Sequence, residues 1–203
     1  VFTAYKNEDI FSTYKRNVDP LTRMASIVDS AIAATKKPAA ARSLQAILSG
    51  LRGIKQPEEI ALIAKAASIS CDGHNDVMRA VKPGMTEYQA QAIMEYNFKK
   101  QGSEYPGYPS IVGASENACV LHYVTNLKLI NDGDLLLSDC AAEYHGYTAD
   151  VTRTVPANGK FSPEQKLIYE LVLAAQEAGI AACKPGAPFA SVDAAARAVV
   201  NKG

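Results

Sequence analysis

At 203 residues, 48% of them apolar, the chain can bury a sizeable core and is too apolar for disorder. Lys and Arg total 21 and so do Asp and Glu, so the formal net charge is zero and no basic footprint for nucleic acid or an anionic membrane exists. No apolar run approaches the roughly 18 residues of a membrane-spanning helix, so function has to come from a local site.

In chain order, residues 1–56 are mixed. In NVDPLTRMASIVDSAIAA, Met24, Ile27, Val28, Ala31 and Ile32 recur at helical spacing, with Asp19 as a cap and Pro20 in the first turn. TKKPAAARSLQAILSGLRGIK reads as a loop followed by a short helix or strand. From Pro57 a long amphipathic helix is expected, with Ile60, Ile63, Ala64, Ala67 and Cys71 on one face and Glu58 and Glu59 at its positive end. Lys82-Pro83-Gly84 stops it. A second helix, capped by Thr86, runs towards Gly102. Short β-type runs follow around YPSIVGA, ACVLHYVTN, DLLLSDCAAEY and GYTADVTRTVP, separated by turn residues. A helix capped by Ser162 with Pro163 in its first position comes next, then Lys184-Pro185-Gly186 and a last helix over about Ala190–Asn201. The returning Lys-Pro-Gly, each time between a long helix and a shorter one, suggests an internal repeat that sets Gly203 against Gln101. On that reading the chain stops where the first copy enters its sheet. Cys71, Cys119, Cys140 and Cys183 are far apart with no CxxC pair, which argues against a disulfide framework or a Cys-type zinc site. Reduced thiols suit a cytoplasmic chain.

The stretch LLLSDCAAEYHGYTADVTRTVP carries two aspartates, Asp139 and Asp150, in an otherwise strand-like run. They are equidistant from a turn at Tyr144-His145, with Gly146 supplying a permissive backbone. That register sets the carboxylates opposite each other, where like charges repel. Arg153, at the far end, is too distant to neutralise them. Two divalent cations would fit between facing carboxylates, and oxygen ligation suits Mn²⁺, Co²⁺, Fe²⁺ or Zn²⁺. The plain alternative is two solvated aspartates on the polar face of a hairpin.

SDCAAEYHGYTADVTRTVPANGKFSPEQKLIYELVLAAQEAG resembles the pita-bread metallopeptidases, and among them the Xaa-Pro aminopeptidase (aminopeptidase P) family. The family pattern runs Asp-Ala-Gly, Glu-Tyr-x-Gly-Tyr, then Asp-(Ile/Val)-Thr-Arg-Thr-x-Pro; Asp139-Cys140-Ala141 is a mild departure at the first element. LRGIKQPEEI and SIVGASENACVLHY extend the resemblance over about residues 50–203. It implies an α+β fold, the first half of a pita-bread architecture with helices on a curved antiparallel sheet. Residues 1–50 would be the tail of an N-terminal domain plus linker, and 51–203 a partial catalytic domain.

It also implies that Asp139 and Asp150 are metal ligands, Asp150 bridging both of two ions, with Mn²⁺ the first expectation and Co²⁺, Zn²⁺ or Fe²⁺ the alternatives. His122, in ACVLHY, falls at the family's catalytic histidine, which hydrogen-bonds the substrate or tetrahedral intermediate. A metal-bridged hydroxide would attack the scissile carbonyl of a peptide with proline second, releasing its first residue. The family's remaining ligands, a histidine and two glutamates, match nothing after Pro156, so the sequence reads as part of a longer protein and inactive alone. His145 and His74 receive no role. Thr152 and Arg153 either orient a carboxylate or serve structure, and Tyr105 and Tyr108 either pack or line a proline-accepting pocket. The alternatives are an Xaa-Pro dipeptidase, with the same ligand pattern, and a non-catalytic pita-bread binding module; methionine aminopeptidase and creatinase fit less well. The expected partner is a peptide, with neither nucleic acid nor membrane, and a homo-oligomer is left open.

Overall fold

The computed structural model describes residues 2–3, 26–27, 30–31, 33–34 and 42–203, which fall into two units, Val1–Ile60 and Ala61–Gly203. In the first, β1 (Phe2–Thr3) pairs in parallel with β2 (Arg42–Ser43), and α1 (Leu44–Gly53) follows directly. Of the helix expected around Ile27, Ser26, Ile27, Ser30, Ala31, Ala33 and Ala34 are helical, while Asp19, Met24, Val28 and Ile32 lie outside the described residues.

The long helix, α2 (Pro57–Ala80), begins at its proline, with Glu59 accepting from the Gln56 N–H at 2.6 Å. Its buried face differs from the expected one. Ile60 and Cys71 are exposed, and the core instead receives Ala66, Ile69, Ser70, Gly73, His74 and Val77. The physical reason lies opposite the helix. At Gly73 a Cβ would stand 2.7 Å from Phe98 and 2.8 Å from Met94, so the bare glycine admits α3 (Glu87–Lys100) at close range. That contact rotates the helix until two polar residues face inward. Thr86 precedes α3 as expected, but its hydroxyl finds no hydrogen-bond partner; the Thr86 N–H is instead bonded by the Gln89 side chain at 2.9 Å. Both Lys-Pro-Gly turns close alike: Gly84 and Gly186 take positive φ, and Met85 N donates to Lys82 O as Ala187 N does to Lys184 O.

A three-stranded antiparallel sheet follows in the order β3 (Ile111–Ala114), β4 (Leu135–Asp139), β7 (Thr152–Pro156). The arms of the β4–β7 connection meet in a smaller hairpin of β5 (Glu143–Tyr144) and β6 (Tyr147–Thr148). Burial alternates along β4, with Leu136 and Ser138 inward. Leu136 and Val112 join Ile69, Val77, Ala90, Met94 and Phe98 in one apolar core, which places α2 and α3 on that face of the sheet. α4 (Pro163–Ala182), with the expected Ser162 cap and a reciprocal Gln165 bond, packs on α5 (Ala190–Val200) through Gly179 and Val192.

ACVLHYVTN forms no strand. Ser115–Cys119 is a 3₁₀ turn, and Ser115, His122 and Asn126 take φ of 55°, 54° and 51°, which no extended run permits. All four cysteines are free, and no helix among the described residues is long and apolar enough to cross a membrane.

Candidate metal centre

The hairpin that carries the two aspartates turns one residue later than symmetry suggested. His145 (φ 50°) and Gly146 (φ 85°) both occupy the left-handed region, as the central pair of a tight two-residue hairpin turn requires. Tyr144 therefore pairs with Tyr147, and Asp139 lies opposite Thr152 instead of Asp150. The correction slides one strand by two residues. Because strand side chains alternate with period two, both carboxylates stay on one face, as diagonal neighbours. Diagonal placement eases the repulsion that a directly opposed pair would suffer.

The two carboxylates still converge. Tyr108 Oη lies 2.5 Å from Asp139 Oδ1 and 3.2 Å from Asp150 Oδ1, so these oxygens are at most 5.7 Å apart, the sum of the two distances. Burial first, then the bond to Asp139 and the two negative charges, pushes the phenol far above its ordinary value, so it remains a proton donor. Tyr108 reaches this position through Gly107. Its N–H donates to Ala141 O at 2.8 Å, and a Cβ there would meet Thr148 at 3.0 Å. Of the two uses weighed for Tyr108 in the sequence, neither was a bond to the aspartates.

Asp139 is half-buried and Asp150 exposed, and neither forms an ion pair among the described residues. Two unpaired carboxylates aimed at one point form a hard, acceptor-rich oxygen site, the donor set that suits divalent cations. Among the described residues no group of three or more His, Cys, Asp or Glu could hold an ion. Cys140, next to Asp139, adds no ligand: burial pushes its thiol up to about 12 and its Sγ turns to Ile111 O.

His122 is exposed, on a loop, and no hydrogen bond joins it to the Tyr108–Asp139–Asp150 cluster among the described residues. Its loop is nonetheless held firmly. The fully buried carboxylate of Glu87 accepts from Ala114 N (2.8 Å), Asn117 Nδ2 (2.9 Å), Tyr123 Oη (2.8 Å) and Lys128 N (2.9 Å). Asn126, also buried, accepts from Val112 N and donates to Gln91 Oε1 and Ser110 O. Glu87 thus fastens both ends of the segment carrying His122, and the residue adjacent to it. Sequence reading missed this residue, since a glutamate after a helix cap reads as a dipole partner. Arg153 bonds Thr152 O at 2.7 Å, and His145 meets Glu104 at 3.2 Å on the surface.

The family model of metallopeptidase family M24 matches residues 61–203. Xaa-Pro aminopeptidase of Escherichia coli K12 is 38% identical over 174 residues, 82% of this chain and 40% of that protein. Human Xaa-Pro dipeptidase is 39% identical over 140 residues, 66% of this chain and 28% of that protein. Among solved structures, a variant of E. coli aminopeptidase P in complex with substrate aligns with TM-score 0.84 at 35% identity, covering 89% of this chain and 43% of that one. The fold is therefore that of part of an aminopeptidase P, and the chain spans less than half the length of the relatives it matches.

Proposed function

This chain belongs to metallopeptidase family M24, and from that premise we propose that the protein carrying it is a metal-dependent Xaa-Pro aminopeptidase. It would release the first residue from peptides with proline second. The observation that carries the proposal is the convergence of Asp139 and Asp150 on Tyr108 Oη, on one face of the hairpin.

Asp139 and Asp150 would hold two divalent cations, Mn²⁺ being the favoured pair. When bound, such ions supply an activated water and a Lewis acid for the scissile carbonyl. Two aspartates offer too few donors for two ions that each take roughly four to six ligands, so further ligands would have to join them. Tyr108 stands between the carboxylates and holds their separation. His122 would donate a hydrogen bond to the oxygen that gains charge as the peptide carbonyl becomes tetrahedral. Glu87 holds that loop in register, and the left-handed backbone at His122 turns the histidine out of the core. A cytoplasmic setting agrees with four free thiols.

The test is hydrolysis of a proline-second tripeptide by the complete protein with added Mn²⁺. Turnover that chelation abolishes supports the proposal, and turnover indifferent to chelation sinks it. A second reading, Xaa-Pro dipeptidase, is favoured by the similarity to the human dipeptidase. Substrate length separates the two, because a dipeptidase cleaves Xaa-Pro itself and leaves the tripeptide intact.

A further inference from the structure

Cys140, Ala141 and Ala142 are fully buried, yet they lie between β4 and β5, outside both strands. Their backbone groups need partners all the same. Three come from neighbouring loop and hairpin: Cys140 N donates to Val151 O (3.1 Å), Gly107 N to Ala141 O (2.8 Å) and Ala149 N to Ala142 O (3.3 Å). Two more come from α2. Ala142 N donates to Ser70 Oγ at 2.9 Å, and His74 Nε2 donates to Cys140 O at 3.0 Å. The Ser70 hydroxyl in turn donates a hydrogen bond to Ala66 O at 2.8 Å.

Ser70 and His74 sit one turn apart on α2 and are 0% and 3% exposed. An apolar core has no use for a serine and an imidazole unless they satisfy something. What they satisfy is the backbone directly after Asp139. The Val151 carbonyl, directly after Asp150, is a second acceptor beside the same imidazole. One helical turn thus grips the chain where both aspartate arms meet.

Resting on the metal reading above, we infer that His74 and Ser70 are positioning residues of the metal centre, fixing the Asp139 backbone relative to Asp150 through Cys140 O and Ala142 N. Neither touches metal or substrate. They set where the carboxylates stand before an ion arrives, so their loss is felt as weaker metal binding.

The experiment titrates the complete protein with Mn²⁺ by calorimetry and follows kcat and KM on a proline-second tripeptide. His74→Leu keeps bulk without a donor and should weaken Mn²⁺ binding ten- to a hundred-fold, the usual range for a lost supporting bond. His74→Gln retains an N–H near the Nε2 position and should recover most of that affinity. Ser70→Ala should fall between them. Ile130→Val, a core change outside this network, controls for general loss of stability and should bind Mn²⁺ normally. At saturating Mn²⁺ the variants should regain kcat with KM unchanged. Equal losses in His74→Leu and His74→Gln, or unchanged Mn²⁺ affinity in His74→Leu, overturn the inference while leaving the function intact. If His74→Leu fails to fold, Ser70→Ala and His74→Gln decide the matter by the same comparison. An unaltered protein that binds no Mn²⁺ overturns the metal reading itself, and this inference with it.

Discussion

Replacing Glu87 with alanine is the sharpest structural perturbation available, because four donors converge on one fully buried carboxylate. All four contacts are donors, so the site requires an acceptor-only group, as a carboxylate is. Burial, then the bond to Glu87, raises the Tyr123 phenol above its usual value, which keeps that hydroxyl a donor. In Glu87→Ala the amide of fully buried Ala114 loses its partner, at a cost of about 1–3 kcal/mol. Truncating a buried side chain and leaving the Lys128 amide without its acceptor bring the total to about 3–5 kcal/mol, while Asn117 Nδ2 still donates to Tyr123 Oη at 2.9 Å. Against a domain stability of about 5–15 kcal/mol, that is a loss of roughly a third. Glu87→Gln keeps the shape but turns an N–H towards the Lys128 amide, a donor facing a donor. It should lose about 1–3 kcal/mol. Urea denaturation of the metal-free protein reads both as shifts of midpoint at unchanged slope. In the complete protein, on the proposed function, both variants should also lose kcat more than metal, since the His122 loop is what they release. A loss below about 1 kcal/mol in Glu87→Ala would refute the claim that this carboxylate organises the loop.

His122→Ala should cut kcat about 10²–10³-fold with metal content intact by elemental analysis; loss of metal would make it a ligand. Tyr108→Phe removes the donor shared by Asp139 and Asp150, and chelated protein should lose about 1.5–3 kcal/mol in urea melts. Burial holds His74 below its ordinary value of 6.5, so as pH falls through about 6.5 the unfolded chain takes up a proton first. Stability of the metal-free protein is therefore full above that pH and declines below it, until the lowered folded value is reached; His74→Gln should flatten the profile, and an unchanged profile would place the titration elsewhere. The 203 residues alone should bind Mn²⁺ weakly and turn over no proline-second peptide, because among the described residues no group of three or more His, Cys, Asp or Glu could hold an ion.

The local devices were readable in the sequence. The Ser162 cap, the helix start after Thr86 and the two Lys-Pro-Gly turns act through bonds only a few residues long. The aspartate pair was readable as a same-face pair, because a two-residue slip leaves strand parity intact. The register itself was not, since it depended on His145 accepting a left-handed backbone, which a histidine seldom does. ACVLHYVTN looked like a strand because it alternates and is rich in β-branched and aromatic residues. Its conformation is instead dictated by Glu87, distant in sequence. The α2 face was misjudged for a related reason: hydrophobic spacing cannot reveal that Ser70 and His74 serve backbone atoms near Asp139. Tyr108 was beyond reach as well, because nothing local in EYPGYPS points to two carboxylates on another segment.

The most direct test is Mn²⁺ stoichiometry in the complete protein and its Asp150→Asn variant, measured together with hydrolysis of a proline-second tripeptide. The account predicts two equivalents of Mn²⁺ and chelator-sensitive turnover in the unaltered protein, and loss of both metal and turnover in the near-isosteric variant. Full metal occupancy and undiminished turnover in Asp150→Asn would contradict it.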